Sequence, residues 1–294
     1  MVRLSEIAHA KELLHPNQCG SLTSLSSLDA CLTLTRKVRI LERPRLPAST
    51  PFLDIKAGLN NVNACTLRVL LLAKQTPSYL VHWVSSFLSE ETCTLVFQVS
   101  HNLPAVVLVC TPQGSPIPPL LCLLYIATLH SAIPKGIMLY YVDDFAITVA
   151  SDSHWGNIYR LQRVITDISQ KGKDLGISLS VPKTALIPQQ PPSRRTPHAT
   201  SPIELEGHLF HPSRVVRWLG YWLTPALTST PHFRHTLSLA QASFFFVKRV
   251  SSPGATVKPF PCHGIVNGLL LSLLTYRGDV FAPNSNALRS TNSF

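Results

Sequence analysis

The stretch "LYYVDDFAIT", Leu139 to Thr148, decides the fold, because two adjacent aspartates interrupt a run of residues that favours burial. The flanking residues are mostly β-branched or aromatic, which is typical of strands. The stretch therefore predicts two short strands joined at Asp143 and Asp144. An ordinary hairpin turn is the simplest explanation of this pair, since an aspartate side chain accepts hydrogen bonds from nearby backbone N–H groups. The rest of the chain must distinguish a turn from a functional site.

Composition indicates a folded, basic protein. The chain has 294 residues, of which 45% are hydrophobic, enough for a substantial core. Its 26 lysines and arginines exceed its 15 acids, and the net charge of +11 favours nucleic acid as a partner over an anionic membrane surface. Seven widely spaced cysteines without a CxxC pair argue against a disulfide framework and a zinc ribbon. With no signal peptide or spanning apolar run, we expect a soluble, intracellular protein without a membrane partner.

A third acid is expected near the pair. The segment "PFLDIKAGLNNVN" begins as a short apolar strand that ends at Asp54, and "ISLSVPKTALI" alternates as a strand does and carries Lys183. If the strand of Asp54 lies beside the hairpin, three carboxylates meet at one edge of a sheet. Carboxylates so close together cannot all stay ionised unless a cation neutralises them, and their hard oxygens suit magnesium. Two such ions can activate a 3′-hydroxyl for phosphoryl transfer, which leaves a nuclease, a phosphatase and a polymerase open.

The C-terminal third carries the basic charge. From Gly207 to Gly278 there are seven lysines and arginines and no acid. This asymmetry favours contacts with phosphates, and Lys248 and Arg249 are the candidates we single out. The alternative is an ordinary basic, solvated surface.

Five segments together resemble consecutive motifs of a reverse transcriptase, similar to those of fungal LINE-type (non-LTR) retrotransposons. They are "FLDIKAGLNNVN", "TPQGSPIPPLL", "YVDDFAIT", "LSVPKTALI" and "VRWLGYWLT". The resemblance implies an α+β fold, in which the palm is an antiparallel sheet with helices on one face, beside incomplete fingers and a mostly helical, thumb-like C-terminal part. The boundaries it implies are residues 1–48 for the fingers, 49–187 for the palm, 188–206 for a connection rich in proline and serine, and 207–294 for a segment like a primer grip followed by the basic thumb.

The resemblance also implies roles for the matched residues. Asp54, Asp143 and Asp144 would hold two Mg²⁺ ions, with Mn²⁺ as a substitute, and Lys183 would act as a general acid unless it is only a surface lysine. The nucleotide site would comprise Leu59, Gln113, Gly114 and Ser115. Primer and nucleic-acid contacts would come from Trp218, Leu219, Gly220, Lys248 and Arg249, although Trp218 also suits an ordinary core.

The implied function is RNA-directed DNA synthesis, in which a DNA 3′-end is extended on an RNA template with deoxynucleoside triphosphates. The resemblance also implies a location in the nucleus. Four residues depart from the family pattern: Leu59, Asn60, Cys110 and Pro118. We also expect further finger residues and an endonuclease domain in an intact retroelement protein, so the chain looks like a piece of one. The alternative function is therefore an inactive retrotransposon remnant that at most binds nucleic acid.

Overall fold

A five-stranded sheet forms the centre of the chain in a computed structural model. The structure describes residues 2–20, 25–42, 46–56, 61–89, 92–94, 96–97, 100–101, 105–106, 117–130, 136–189, 201–228, 230–250 and 268. The helices are α1 (Val2–Ala10), α2 (Ser27–Glu42), α3 (Ala64–Ala73), α4 (Ser78–Phe87), α5 (Ile117–Ile126), α6 (His154–Asp174) and α7 (Thr230–Val250). Two 3₁₀ turns lie at Ala127–Leu129 and Val181–Lys183.

The strands are short apart from those of the central sheet. They are β1 (Gln18–Cys19), β2 (Ala48–Asp54), β3 (Thr92–Cys93), β4 (Val96–Phe97), β5 (Ser100–His101), β6 (Ala105–Val106), β7 (Gly136–Tyr141), β8 (Asp144–Ala150), β9 (Ala185–Gln189), β10 (Ile203–Leu205), β11 (His208–Phe210), β12 (Val216–Trp218) and β13 (Tyr221–Leu223). In the central sheet the order is β1-β7-β8-β2-β9, and every neighbouring pair is antiparallel except β1 with β7. The predicted hairpin is confirmed as β7 and β8.

Local chemistry sets the ends of the long helix α6. The Ser153 hydroxyl caps its first turn by accepting a hydrogen bond from the Gly156 N–H at 3.1 Å. The chain leaves the helix through Gly176, whose φ of +70° is a conformation that glycine adopts without strain. The helix thus begins directly after its capping serine and ends two residues before this glycine.

The central sheet is covered on both faces. Because successive side chains in a strand alternate, Leu53 and Phe145 point to one face and Phe52 and Ala146 to the other. The first face packs against apolar residues of α3, α4, α5 and α6. The second packs against α2 and the β12–β13 hairpin. The α+β architecture with an antiparallel-rich palm sheet is confirmed, and α2 adds a helix on the face opposite the other four.

One local prediction is wrong. Lys183 was expected within a strand, but it ends a 3₁₀ turn, and β9 begins only at Ala185. The cause is Pro182, which has no N–H to donate to a neighbouring strand and interrupts the alternation.

The predicted domain boundaries stay a prediction. Within the described parts of the chain, no helix combines the length and the hydrophobicity needed to span a bilayer.

Candidate active site

The two aspartates of the hairpin lie where β7 turns into β8. Tyr141 pairs with Asp144, and Val142 and Asp143 form the turn between them. Val142 has a φ of +56°, which is unfavourable for a β-branched residue. Backbone strain of this kind persists only where the surrounding structure enforces it, and it concentrates at functional sites.

Asp54 lies directly beside this turn. It is the last residue of β2, its Cα partner across the antiparallel pair is Asp144, and both side chains point to the same face of the sheet as Phe52. The backbone is fixed from two sides. The Ile55 N–H donates to the Asp143 carbonyl at 3.0 Å, and the Ser180 N–H donates to the Asp54 carbonyl at 2.7 Å. The register therefore sets Asp54 opposite Asp144, with Asp143 in the adjoining turn, and the role of the three acids as a joint cation site stays a prediction.

Lys183 reaches the same edge. Its ammonium donates to Asp54 Oδ1 at 2.9 Å, although 129 residues separate the two in sequence. The lysine side chain is 66% exposed and the aspartate side chain only 8% exposed. The hydrogen bond and charge of Asp54 raise the pKa of Lys183. A general acid would have its pKa lowered instead, so in this conformation Lys183 is held as a counter-ion for Asp54.

The acidic side chains of the hairpin are crowded and partly buried. Burial raises the pKa of Asp143, and the nearby Asp54 adds to the rise. Burial, followed by Asp143 and then Asp54, raises the pKa of Asp144 from 3.8 to about 7, which Lys183 offsets only in part. Crowded carboxylates with raised pKa values are destabilising by themselves and are common where a protein binds a cation or moves a proton.

The donor set fits a hard divalent cation. Asp54 Oδ2 is buried and, within the described residues, has no hydrogen-bond partner. No three His, Cys, Asp or Glu side chains of the described ranges are placed to hold one ion together. Magnesium is commonly held by one or two carboxylates together with substrate phosphates, so a third protein ligand is not required. The orphaned oxygen of Asp54 and the crowded acids of the hairpin meet this requirement.

The segment expected to grip the primer forms the tight hairpin β12–β13. Leu219 and Gly220 make its turn, with φ values of +49° and +81°. Trp218 is 3% exposed and packs on Phe52, with ring centroids 5.6 Å apart. Its side chain therefore anchors the hairpin on the face of the sheet that carries Asp54 and Asp144. Lys248 and Arg249 are exposed near the end of α7.

The predicted nucleotide site falls outside the described residues. This applies to Leu59, Gln113, Gly114 and Ser115 and to the departures at Asn60 and Cys110.

Sequence reasoning assigned no role to Gly20. Its φ is +82°, and a Cβ there would lie 3.1 Å from the Tyr141 ring and 3.1 Å from Cγ2 of Val142. Gly20 thus lets β1 and its following turn pack closely against the aspartate hairpin. The signal was present, because glycine directly after a short polar strand often marks a close backbone approach.

Known proteins match this chain in sequence and in fold. The sequence profile of reverse transcriptase (RNA-dependent DNA polymerase) matches residues 1–223, which include all three aspartates, Lys183 and the β12–β13 hairpin. The chain belongs to the reverse transcriptase family. A probable RNA-directed DNA polymerase from transposon BS of Drosophila melanogaster is 25% identical to this reverse transcriptase chain over 241 residues. That match covers 80% of the chain and 26% of the relative, so the chain spans about a quarter of that protein's length.

Two solved telomerase structures of Candida tropicalis resemble the fold. The complex with a TWJ fragment of telomeric RNA has a TM-score of 0.56 and 11% identity, and the match covers 99% of this chain and 46% of the telomerase chain. The apo telomerase has a TM-score of 0.53 and 13% identity, covering 100% of this chain and 50% of the other. At such low identities the likeness concerns the reverse transcriptase fold alone.

Proposed function

We propose that this chain carries the catalytic centre of an RNA-directed DNA polymerase, which extends a DNA 3′-end on an RNA template. The observation that carries the proposal is the alignment of Asp54 with Asp144 across β2 and β8, with Asp143 in the adjoining turn. Family membership supports it, since the matched profile is that of RNA-dependent DNA polymerases. The transposon relative supports an origin in a retroelement, which we assign to the LINE type.

In this proposal Asp54, Asp143 and Asp144 share two Mg²⁺ ions, with Mn²⁺ as a substitute, and neither ion needs all three carboxylates. If bound there, the two ions would activate the primer 3′-hydroxyl and stabilise the charge that develops on the phosphate oxygens. The chain's own residues fix the geometry. The hydrogen bonds from Ile55 and Ser180 hold the backbone on which two of the acids are mounted. Asp54 keeps its unpaired oxygen at the cation site.

Lys183 has a separate role in the proposal. Its side chain is largely exposed, so it can leave Asp54, whose carboxylate would then be available to a cation. The released ammonium then lies at the sheet edge where the triphosphate of an incoming deoxynucleotide would bind. There it neutralises the phosphate charge and donates a proton to the leaving pyrophosphate.

The partners follow from the same proposal. We assign the incoming deoxynucleotide to Leu59, Gln113, Gly114 and Ser115. The β12–β13 hairpin lies on the face of the sheet that carries the acids, which supports a contact between Leu219–Gly220 and the primer. Exposed Lys248 and Arg249 supply phosphate contacts to the RNA–DNA duplex.

An inactive, nucleic-acid-binding remnant is the second candidate. It is favoured by the departures at Leu59, Asn60 and Cys110, which replace an aromatic residue, an acid and a glycine of the family pattern. Under this alternative the acids are relics, and the basic surface still binds duplexes in a salt-dependent manner.

Primer extension distinguishes the two. The assay uses oligo(dT) on poly(rA) with and without Mg²⁺, and compares the natural chain with Asp143→Asn and with the control Asp152→Asn, which changes an exposed acid after β8. We expect Mg²⁺-dependent extension that Asp143→Asn lowers by about 100-fold or more and Asp152→Asn leaves unchanged, since losing a metal ligand removes several kcal/mol of charge stabilisation. Duplex binding without extension by the natural chain refutes the catalytic proposal in favour of the remnant.

A further inference from the structure

Two aromatic side chains of α6 are exposed although their neighbours on the helix face the core. Trp155 is 70% exposed and Tyr159 is 57% exposed. Their rings stack on each other with centroids 6.0 Å apart and planes within 12°. The apolar residues that bury α6 lie on its opposite side: Ile158, Leu161, Ile165 and Ile168. The stacked pair therefore contributes nothing to the core and presents flat apolar surface to solvent.

This pair lies away from the candidate active site. Helix α6 packs against the face of the sheet formed by residues such as Leu53 and Phe145. Asp54 and Asp144 point to the other face, with Phe52. A ligand on the stacked rings is therefore separated from the acids by the thickness of the sheet.

Positive charge continues the same helix face. Arg163 follows Tyr159 by four residues and Trp155 by eight, so the three side chains form a ladder about 12 Å long. Arg160 is exposed beside this ladder. In the described ranges neither arginine takes part in an ion pair, because the carboxylates found in such pairs belong to Asp167 and Asp54.

We propose that Trp155, Tyr159 and Arg163 form a second nucleic-acid site, which binds an unpaired strand on the back of the palm. Each base has a flat face that can stack on an exposed aromatic ring, and arginine contacts the neighbouring phosphates. A duplex offers no free base faces, so the site selects single strands. The net charge of +11 favours this polyanion over a protein as the occupant. The shared chemistry is an unpaired strand, either RNA or DNA.

A second stacked aromatic pair, on α4, lacks the neighbouring arginines. Trp83 and Phe87 of α4 stack with centroids 5.5 Å apart and planes within 15°. Trp83 is 43% exposed, but Phe87 packs against the core and α4 carries no lysine or arginine. Trp83 therefore provides a matched control, an exposed tryptophan on a helix without the flanking cations.

The test measures fluorescence anisotropy of labelled oligo(dT) and oligo(rU) of about twelve nucleotides. Excess unlabelled RNA–DNA duplex is present to occupy the proposed polymerase site. We expect Trp155→Ala to weaken single-strand binding roughly tenfold and Trp83→Ala to change it less than about twofold. Arg163→Gln should lower the slope of log affinity against log salt concentration by about 0.7. Comparing the two oligonucleotides shows whether RNA, DNA or both occupy the site.

The substituted side chains are exposed, so folding is checked by comparing melting temperatures. Unchanged oligonucleotide binding by Trp155→Ala overturns the proposal and leaves the patch to a protein partner, and an equal loss in Trp83→Ala overturns it as well. The second site does not depend on catalysis. Asp143→Asn should therefore bind single strands as tightly as the natural chain does. If the natural chain does not extend primers but Trp155→Ala still weakens its single-strand binding, the second site is supported and the polymerase proposal fails.

Discussion

Replacing Asp144 by asparagine should stabilise the protein at pH 8 while it removes activity. Burial and the neighbouring acids raise the pKa of this carboxyl from 3.8 to about 7. Each pH unit between these values corresponds to about 1.4 kcal/mol, so full ionisation costs up to about 4 kcal/mol. The side chain is only partly buried, and solvent screening reduces this to about 2 kcal/mol.

The sign follows from proton binding. Between pH 4 and 7 the folded state retains a proton on Asp144 that the unfolded state has lost, so stability decreases as the pH rises through this window. Above pH 7 the destabilisation is complete. The asparagine variant does not titrate, so its advantage should be largest at pH 8 and disappear near pH 4.

Thermal unfolding at both pH values measures the effect. For a chain of this size a gain of about 2 kcal/mol corresponds to about 3 °C in melting temperature. Asp152→Asn removes an exposed carboxylate and serves as the control. Its melting temperature should equal that of the natural chain at both pH values. Adding Mg²⁺ at pH 8 should raise the melting temperature of the natural chain more than that of Asp144→Asn, since a cation neutralises the crowded acids. Equal stability of variant and natural chain at pH 8, or a gain that persists unchanged at pH 4, would refute the reasoning.

Three further outcomes are expected elsewhere in the fold. Gly20→Ala should destabilise by about 1–2 kcal/mol in urea unfolding, because its φ is +82° and the new Cβ would lie 3.1 Å from the Tyr141 ring; a neutral result contradicts the close packing. Asn157→Ala should cost about 2–3 kcal/mol in the same assay, because it removes the buried 2.8 Å hydrogen bond to the Pro47 carbonyl. Burial lowers the pKa of His130, so the contribution of this histidine to stability should decrease as the pH falls below about 6.5, opposite in sign to that of Asp144; His130→Gln should therefore gain melting temperature relative to the natural chain as the pH falls from about 7 to about 5. A difference between variant and natural chain that does not change with pH would exclude this histidine.

The sequence by itself determined the local parts of the site. Alternating β-branched and aromatic residues around Asp143 and Asp144 favour a hairpin whatever the rest of the chain does, and the apolar run before Asp54 favours a strand that ends there. The glycine at 176 ends α6 for an equally local reason. These features depend on residues within a few positions of one another, so their pattern is visible without the fold.

Only the tertiary structure decided which of these parts meet. The register that sets Asp54 opposite Asp144 results from pairing strands about 90 residues apart, which the sequence permits but does not select. The contact between Lys183 and Asp54 depends on the same pairing and on the 3₁₀ turn that Pro182 imposes. The exposure of Trp155 likewise depends on which side of α6 meets the sheet. Which strands pair over long range depends on burying both faces of the sheet at the same time. Patterns among residues close together in sequence do not reveal this.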